Sequence, residues 1–315
     1  MTARPRRRQG EAGRPGTPHK AGVVAVVGRP NVGKSTLLNQ LLQFKLSIVT
    51  PKPQTTRETV KGILSGPGYQ IVLLDTPGYL RQPAHLLDQR MLKQAREALA
   101  EADLVLLLVE PRPPGDIEQA LIQAVRGSGR PCLLVINKID TVAKVELLPI
   151  MDQYSRLYDF REIVPISALQ RDGLDLLLQL TVKHLPPGPP LYPEEELTDR
   201  TERALVADIV REEVYLLYRQ EVPYAVAVAI DQFREADPEH GGKDYIRAVI
   251  FVERESQKGI LVGKGGEALK RVGMRARQQI EALLGRPVYL ELWVKVRPRW
   301  RKDPQFLRWL EETLR

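Results

Sequence analysis

Over the first part of the chain, short unbroken apolar runs alternate with longer stretches of helical periodicity. The runs are residues 23–27, 71–74, 104–109, 133–136 and 163–166. None alternates apolar with polar positions, the mark of a parallel strand covered by helices on both faces. The order predicts an α/β, doubly wound domain over residues 21–185. Residues 185–193 then place five prolines in nine positions, which forbids helix and favours a stiff extended connector, taken as a linker over 186–197. Beyond it Asp199 and Glu202 read as a helix N-cap pair before a stripe of Leu205, Ile209, Val210, Val214 and Leu217. Strands are predicted over 224–233 and 245–253, then a glycine-rich stretch at 259–266 and a helix over 267–284. Val288, Leu290, Leu292, Val294 and Val296 alternate with Tyr289, Glu291, Trp293 and Lys295, the pattern of a half-buried strand. The second domain, 198–302, is thus α+β in the order α-β-β-α-β, with a helix or tail over 303–315. The apolar runs all fall short of the roughly 18 residues that a membrane span needs.

The length of 315 residues agrees with two domains, and 43% hydrophobic with 27% charged residues excludes a wholly disordered chain. A single cysteine, Cys132, allows no internal disulfide and no thiolate pair for a metal, so a cytoplasmic setting is expected. Net charge is +8, unevenly spread. Residues 1–20 carry +5, residues 258–302 carry +9 and residues 21–257 carry −5. The arginine-rich start has no apolar core of a secretory signal and is expected to be a solvated, disordered arm, with an auxiliary nucleic-acid contact as the alternative.

Gly28-Arg29-Pro30-Asn31-Val32-Gly33-Lys34-Ser35 matches G-x-x-x-x-G-K-[ST] between a strand and the helical stretch that starts at Thr36. Such a loop lets backbone N–H groups converge on phosphates, adds the positive end of a helix, and brings a lysine to the terminal phosphates. Ser35 offers a hydroxyl to Mg2+, and Asp75, at the end of a strand, is placed to hold the same ion directly or through water. Asn137-Lys138-Ile139-Asp140 follows another strand at the sheet edge where such folds take ligands. A carboxylate accepts both N1–H and the N2 amino group of guanine, and adenine offers no such donor pair, so Asp140 selects guanine. Asn137 is suited to the other side of the base and to tying its loop to the phosphate loop. Ser167-Ala168 would close over the base.

These segments, with Asp75-Thr76-Pro77-Gly78 and a switch segment around Thr55-Thr56-Arg57, resemble the motifs of GTPases in order and spacing. With the second domain and its Gly263-Lys264-Gly265-Gly266, residues 21–302 resemble the Era family: a doubly wound P-loop G domain followed by an α+β KH domain of type II. The resemblance implies a monomeric, Mg2+-dependent GTPase. Its GTP or GDP would lie against residues 28–36 and 75–78, Asn137, Lys138, Asp140, Ser167 and Ala168. Lys34, Thr56, Asn31 and Gly78 would act in hydrolysis, and Ser35, Thr56 and Asp75 would hold Mg2+. Tyr79 stands where Ras-like enzymes have a water-orienting glutamine, so slow intrinsic hydrolysis is expected. An asparagine at position 31 further implies K+ beside the phosphates, the alternative being a loop-shaping amide.

The resemblance implies RNA binding by Gly263, Lys264, Gly265 and Gly266 with Lys270, Arg271, Arg275 and Arg277. The implied partners are the 3′ end of 16S ribosomal RNA and the 30S subunit whose assembly it would serve. Gly265 departs from the two polar or basic residues common between the outer glycines of this family. No paired aromatic strands are visible, which argues against a stacking platform, and Trp293 is expected to be covered by a neighbouring helix. The rival readings are a non-enzymatic RNA-binding module and a signalling GTPase held peripherally at the inner membrane by its arginine arm.

Overall fold

The apolar runs become strands. A computed structural model describes residues 18–52, 55–78, 85–237 and 241–314. The chain divides into two compact units between Asp199 and Arg200. In the first, β1 (Lys20–Gly28), α1 (Lys34–Leu42), β2 (Val60–Gly66), β3 (Tyr69–Asp75), α2 (Leu86–Glu101), β4 (Leu104–Val109), α3 (Asp116–Ser128), β5 (Cys132–Ile136), α4 (Lys144–Ser155), β6 (Glu162–Pro165) and α5 (Leu174–His184) follow in order. The six strands lie in the order β2-β3-β1-β4-β5-β6. All neighbours are parallel except β2, which runs antiparallel to β3. β4 and β5 are buried at every position, as expected of strands sandwiched between helices. Strand β2 has no counterpart among the predicted runs, because Val-Lys-Gly-Ile-Leu-Ser-Gly mixes polar residues and glycine into an edge strand. Burial pushes the Cys132 thiol up to about 12, so it stays protonated.

Residues 186–199 are bound along this unit's own sheet. Ala21 N–H donates to Pro186 O at 3.3 Å, and Gly188 N–H to His19 O at 2.9 Å. The buried Gln70 clamps the backbone of Leu191 and Tyr192 through three hydrogen bonds of 2.6–2.9 Å. Ile63 N–H donates to Leu197 O at 2.8 Å, and Thr198 Oγ1 to Lys61 O at 2.7 Å.

The second unit contains α6 (Glu202–Leu217), β7 (Ala227–Arg234), β8 (Asp244–Val252), α7 (Glu255–Val262), α8 (Glu267–Leu284), β9 (Val288–Val296) and α9 (Pro304–Thr313). Its sheet has the order β7-β8-β9, the first pair antiparallel and the second parallel. Val206, Val210, Val272, Ala276 and Ile280 pack with Ile230, Ile246, Ile250 and Val294 in one core. Four expectations are corrected here. The cap of α6 is Thr201, whose hydroxyl accepts from Ala204 N–H at 3.2 Å, while Asp199 pairs with Lys61 at 3.3 Å. The start of the glycine-rich stretch is helical, giving α-β-β-α-α-β. Gln257 stabilises that entry by accepting from the Glu253 and Arg254 amides, and Leu261 is fully buried, which offsets the roughly 1 kcal/mol helix cost of Gly259. Trp293 is 49% exposed, because α9 packs at the Ala227 and Phe251 end of that face and does not reach it. Finally, Tyr245 of β8 does pair with Tyr289 of β9, so an aromatic pair across strands exists.

Candidate nucleotide site and nucleic-acid interface

The loop from β1 to α1 is held open for phosphates by backbone geometry. Gly33 lies at φ 104°, and a Cβ there would meet Asn137 Nδ2 at 2.2 Å, so both conformation and space require glycine. Lys34 is buried, with Nζ donating to the carbonyls of Arg29 (2.9 Å) and Gly28 (3.2 Å). Burial draws its ammonium down to about 8, opposed by the nearby Asp75 carboxylate. Ser35 Oγ donates to Asp75 Oδ2 at 2.7 Å and lies 2.9 Å from Thr56 Oγ1. The three proposed Mg2+ residues therefore converge, although Thr56 comes from a separate loop. Burial pushes the Asp75 carboxyl up while Lys34 and Ser35 oppose this, and its buried Oδ1 has no hydrogen-bond partner. Hard oxygen donors around an orphaned carboxylate oxygen suit Mg2+.

Asn31, Lys34, Ser35, Thr36, Thr56 and Gly78 surround a hollow of about 70 Å³. Asn31 lies at φ 63°, and its Nδ2 donates to Pro51 O at 2.8 Å. Arg29 turns away to pair with Glu118 at 3.2 Å. Thr76 Oγ1 donates to Val26 O at 2.8 Å, and a Cβ on Gly78 would approach Pro30 N at 2.7 Å. Tyr79 lies outside the described residues, as does the arm up to residue 17.

The base loops are tied together through one side chain. Asn137 Nδ2 donates to Val32 O at 2.8 Å, and its Oδ1 accepts from Ala168 N–H at 2.9 Å. It thus ties its own loop to the phosphate loop, as the sequence suggested, and in addition holds the 167–168 loop. Ser167 Oγ accepts from Gln170 N–H at 3.1 Å. Asp140 is exposed on a short helical turn after Lys138, which adopts φ 68°. Lys138 Nζ donates to Glu110 Oε1 at 2.7 Å, and this pairing holds the Glu110 carboxyl below its usual range against partial desolvation. Glu110 and Glu118 were not foreseen. Each follows β4 at positions whose partners become visible only when strands lie side by side.

In the second unit, residues 263–266 separate α7 from α8 with three positive φ angles. Gly263 lies at φ 73°, ψ 177°, a region essentially closed to residues with a side chain, and a Cβ there would meet Ala268 Cβ at 2.6 Å. Lys264 and Gly265 are exposed, as are Lys270, Arg271, Arg275 and Arg277 on α8. Arg275 is engaged by the buried Glu213 of α6 at 2.6 Å, while Arg277 lies 4.0 Å from Glu281. Ile260 and Met274 flank the loop in sequence and are about half exposed, at 52% and 48%.

A phosphate loop backed by a carboxylate, with the Asn137–Asp140 loop on the same sheet edge and a KH fold later in the chain, defines a P-loop GTPase with a C-terminal RNA-binding type of domain. Residues 23–138 match a family described as 50S ribosome-binding GTPase, and residues 221–301 match the KH domain. GTPase Era of Geobacter metallireducens is 48% identical over 94% of this chain and 99% of its own length. GTPase Era of Heliobacterium modesticaldum is 46% identical over 92% and 96%. The crystal structure of Era with MgGDPNP and nucleotides 1506–1542 of 16S ribosomal RNA superposes with a TM-score of 0.89 at 43% identity, covering 94% of this chain and all of that one. An Era variant from Aquifex aeolicus bound to GDP·AlF4− gives the same TM-score and identity. The chain belongs to the Era family of GTPases. Among the described residues no helix is long and apolar enough to cross a membrane.

Proposed function

We propose that this GTPase acts in the cytoplasm as a monomer on the 30S subunit. In this reading its KH unit holds the single-stranded 3′ end of 16S ribosomal RNA, and its G domain times that contact during assembly. The observation that carries the reading is the match of both units to an Era solved with MgGDPNP and nucleotides 1506–1542 of 16S ribosomal RNA. The +9 charge of residues 258–302 and the glycine-only backbone at Gly263 support it, since backbone phosphates need close approach and neutralisation.

On GTP binding, Lys34 Nζ turns from its two loop carbonyls to the terminal phosphates, and the amides of residues 31–36 donate to their oxygens. Ser35 Oγ, Thr56 Oγ1 and Asp75 hold Mg2+, which neutralises charge on the β- and γ-phosphates. Asp140 accepts from the guanine pairing edge. Asn31, whose Nδ2 donates to Pro51 O, would hold K+, which would supply positive charge beside the phosphates in place of an arginine finger. Turnover in KCl should exceed that in NaCl at matched ionic strength, and equal rates would remove K+ from the site. An arginine arm at the membrane remains the second reading, separated by liposome sedimentation with and without residues 1–20.

The direct test is binding of a fluorescent single-stranded RNA matching the small-subunit 3′ end, with GTP analogue, GDP or no nucleotide, at two salt concentrations. Tighter binding with the analogue and a steep salt slope are expected. Nucleotide-independent affinity would sink the gating role.

A further inference from the structure

The glycine loop leaves the opposite side of the KH sheet unused. On that face, strand register sets four cross-strand pairs in sequence: Tyr245 with Tyr289, Arg247 with Glu291, Val249 with Trp293, and Phe251 with Lys295. Same-face residues along a strand are about 6.7 Å apart, so the face presents a regular ladder. The two tyrosine rings stack with centroids 5.8 Å apart and planes at 12°. The Arg247 guanidinium lies 5.7 Å from the Tyr245 centroid and 5.8 Å from that of Trp293. Tyr289 and Trp293 are nevertheless 57% and 49% exposed, so each keeps a ring surface open to solvent.

The ladder is held in place from within. Glu291 accepts from the Tyr245 hydroxyl, from Arg247 Nε at 2.9 Å and from Trp293 Nε1 at 2.8 Å. Those bonds hold its carboxyl down to about 2, so it stays an acceptor throughout the working pH range. The one acid within the ladder is therefore committed to orienting its rings. At the Phe251 end, α9 overhangs the sheet and leaves a cavity of about 530 Å³. Phe251 and Trp309 wall it, Arg203 and Lys295 supply cations, and Asp231 and Glu312 supply acceptors for exocyclic amino groups.

We propose that this outer sheet face is a second surface for single-stranded RNA, with unpaired bases stacking on Tyr289 and Trp293 and a further base entering the cavity under α9. The inference rests on the RNA-binding reading above and adds a surface to it. RNA is favoured as occupant by the combination of open rings, guanidinium groups over rings and basic residues at the cavity, which together suit bases joined by phosphates.

The test titrates the full chain, with GTP analogue, against a fluorescein-labelled unstructured RNA of roughly 20 nucleotides, long enough for more than one site. Trp293→Ala and Tyr289→Ala should each weaken binding roughly five- to a hundred-fold. Trp293→Phe and Tyr289→Phe should restore most of it, and GTP turnover should not change. UV crosslinking should place RNA on the peptide that contains β9. Gly263→Ala serves as the comparison. If it alone weakens binding, the KH reading stands and the platform is overturned. Loss in the aromatic variants alone keeps the platform and overturns the glycine loop, whereas a wild-type chain that binds no RNA overturns both.

Discussion

Lys34 is at once the most buried cation of the nucleotide site and the one whose charge the reaction needs. Burial has lowered its pKa to about 8, and phosphate oxygens beside Nζ would raise it again. Guanine-nucleotide affinity should therefore be flat below pH 8 and fall above it, approaching tenfold per pH unit. Lys34→Arg, which cannot deprotonate, should lose that break, and a pH-independent affinity for a fluorescent GDP would refute the argument. For the nucleotide-free chain the sign reverses. The penalty of the buried charge is fully present below pH 8, so stability rises with pH from there toward the ordinary lysine value of 10.5. At this scale the sequence was nearly transparent. Gly28–Ser35, Asp75 and Asn137–Asp140 are short strings whose chemistry depends on neighbours in the chain. The tie of Asn137 to Val32 agrees with its suggested role, whereas its bond from Ala168 and the pairs of Glu110 and Glu118 depend on partners brought in by other elements.

Among the elements, the glycine loop is the most demanding of its residue types. Gly263 occupies a backbone region that a side chain excludes, with Ala268 already in the way, whereas nothing lies within 4 Å of a Cβ on Gly265 at φ 62°. Gly263→Ala should therefore reduce RNA affinity at least about tenfold while leaving GTP turnover intact, and Gly265→Ala should cost only about 1–2 kcal/mol of local backbone strain. Fluorescence anisotropy and phosphate release on the same preparations check both, and equal losses from the two variants would contradict the assignment. Elements with strong periodicity, such as β4, β5 and α8, were legible from the chain. Strand β2 and helix α7 were not, since each owes its existence to packing that its own glycines disguise. The pairing of Tyr245 with Tyr289 was hidden for a different reason, because parallel register between β8 and β9 is settled by the helices that connect and cover them.

For the whole molecule, two units and their order were readable from the apolar pattern and the proline-rich stretch, with a strongly positive segment at 258–302 set against a net negative 21–257. If GTP analogue tightens RNA binding by some factor, thermodynamic reciprocity requires RNA to tighten analogue binding by the same factor. Measuring both affinities on the full chain checks this closure, and RNA that leaves nucleotide affinity unaltered would rule out equilibrium gating. The proline-rich connector is itself built into the first unit. It is fastened to β1, β2 and Gln70 up to Thr198, and Asp199 is paired with Lys61. On the other side of the next peptide bond Arg200 is held by Asp208, and Thr201 caps α6. Tethers normally contribute slack; this one has almost none. The connector therefore behaves as a fixed part of the first unit rather than as a leash. Because it is pinned to β2, only a few residues beyond Thr56, a shift of that strand would pull directly on residues 197–199.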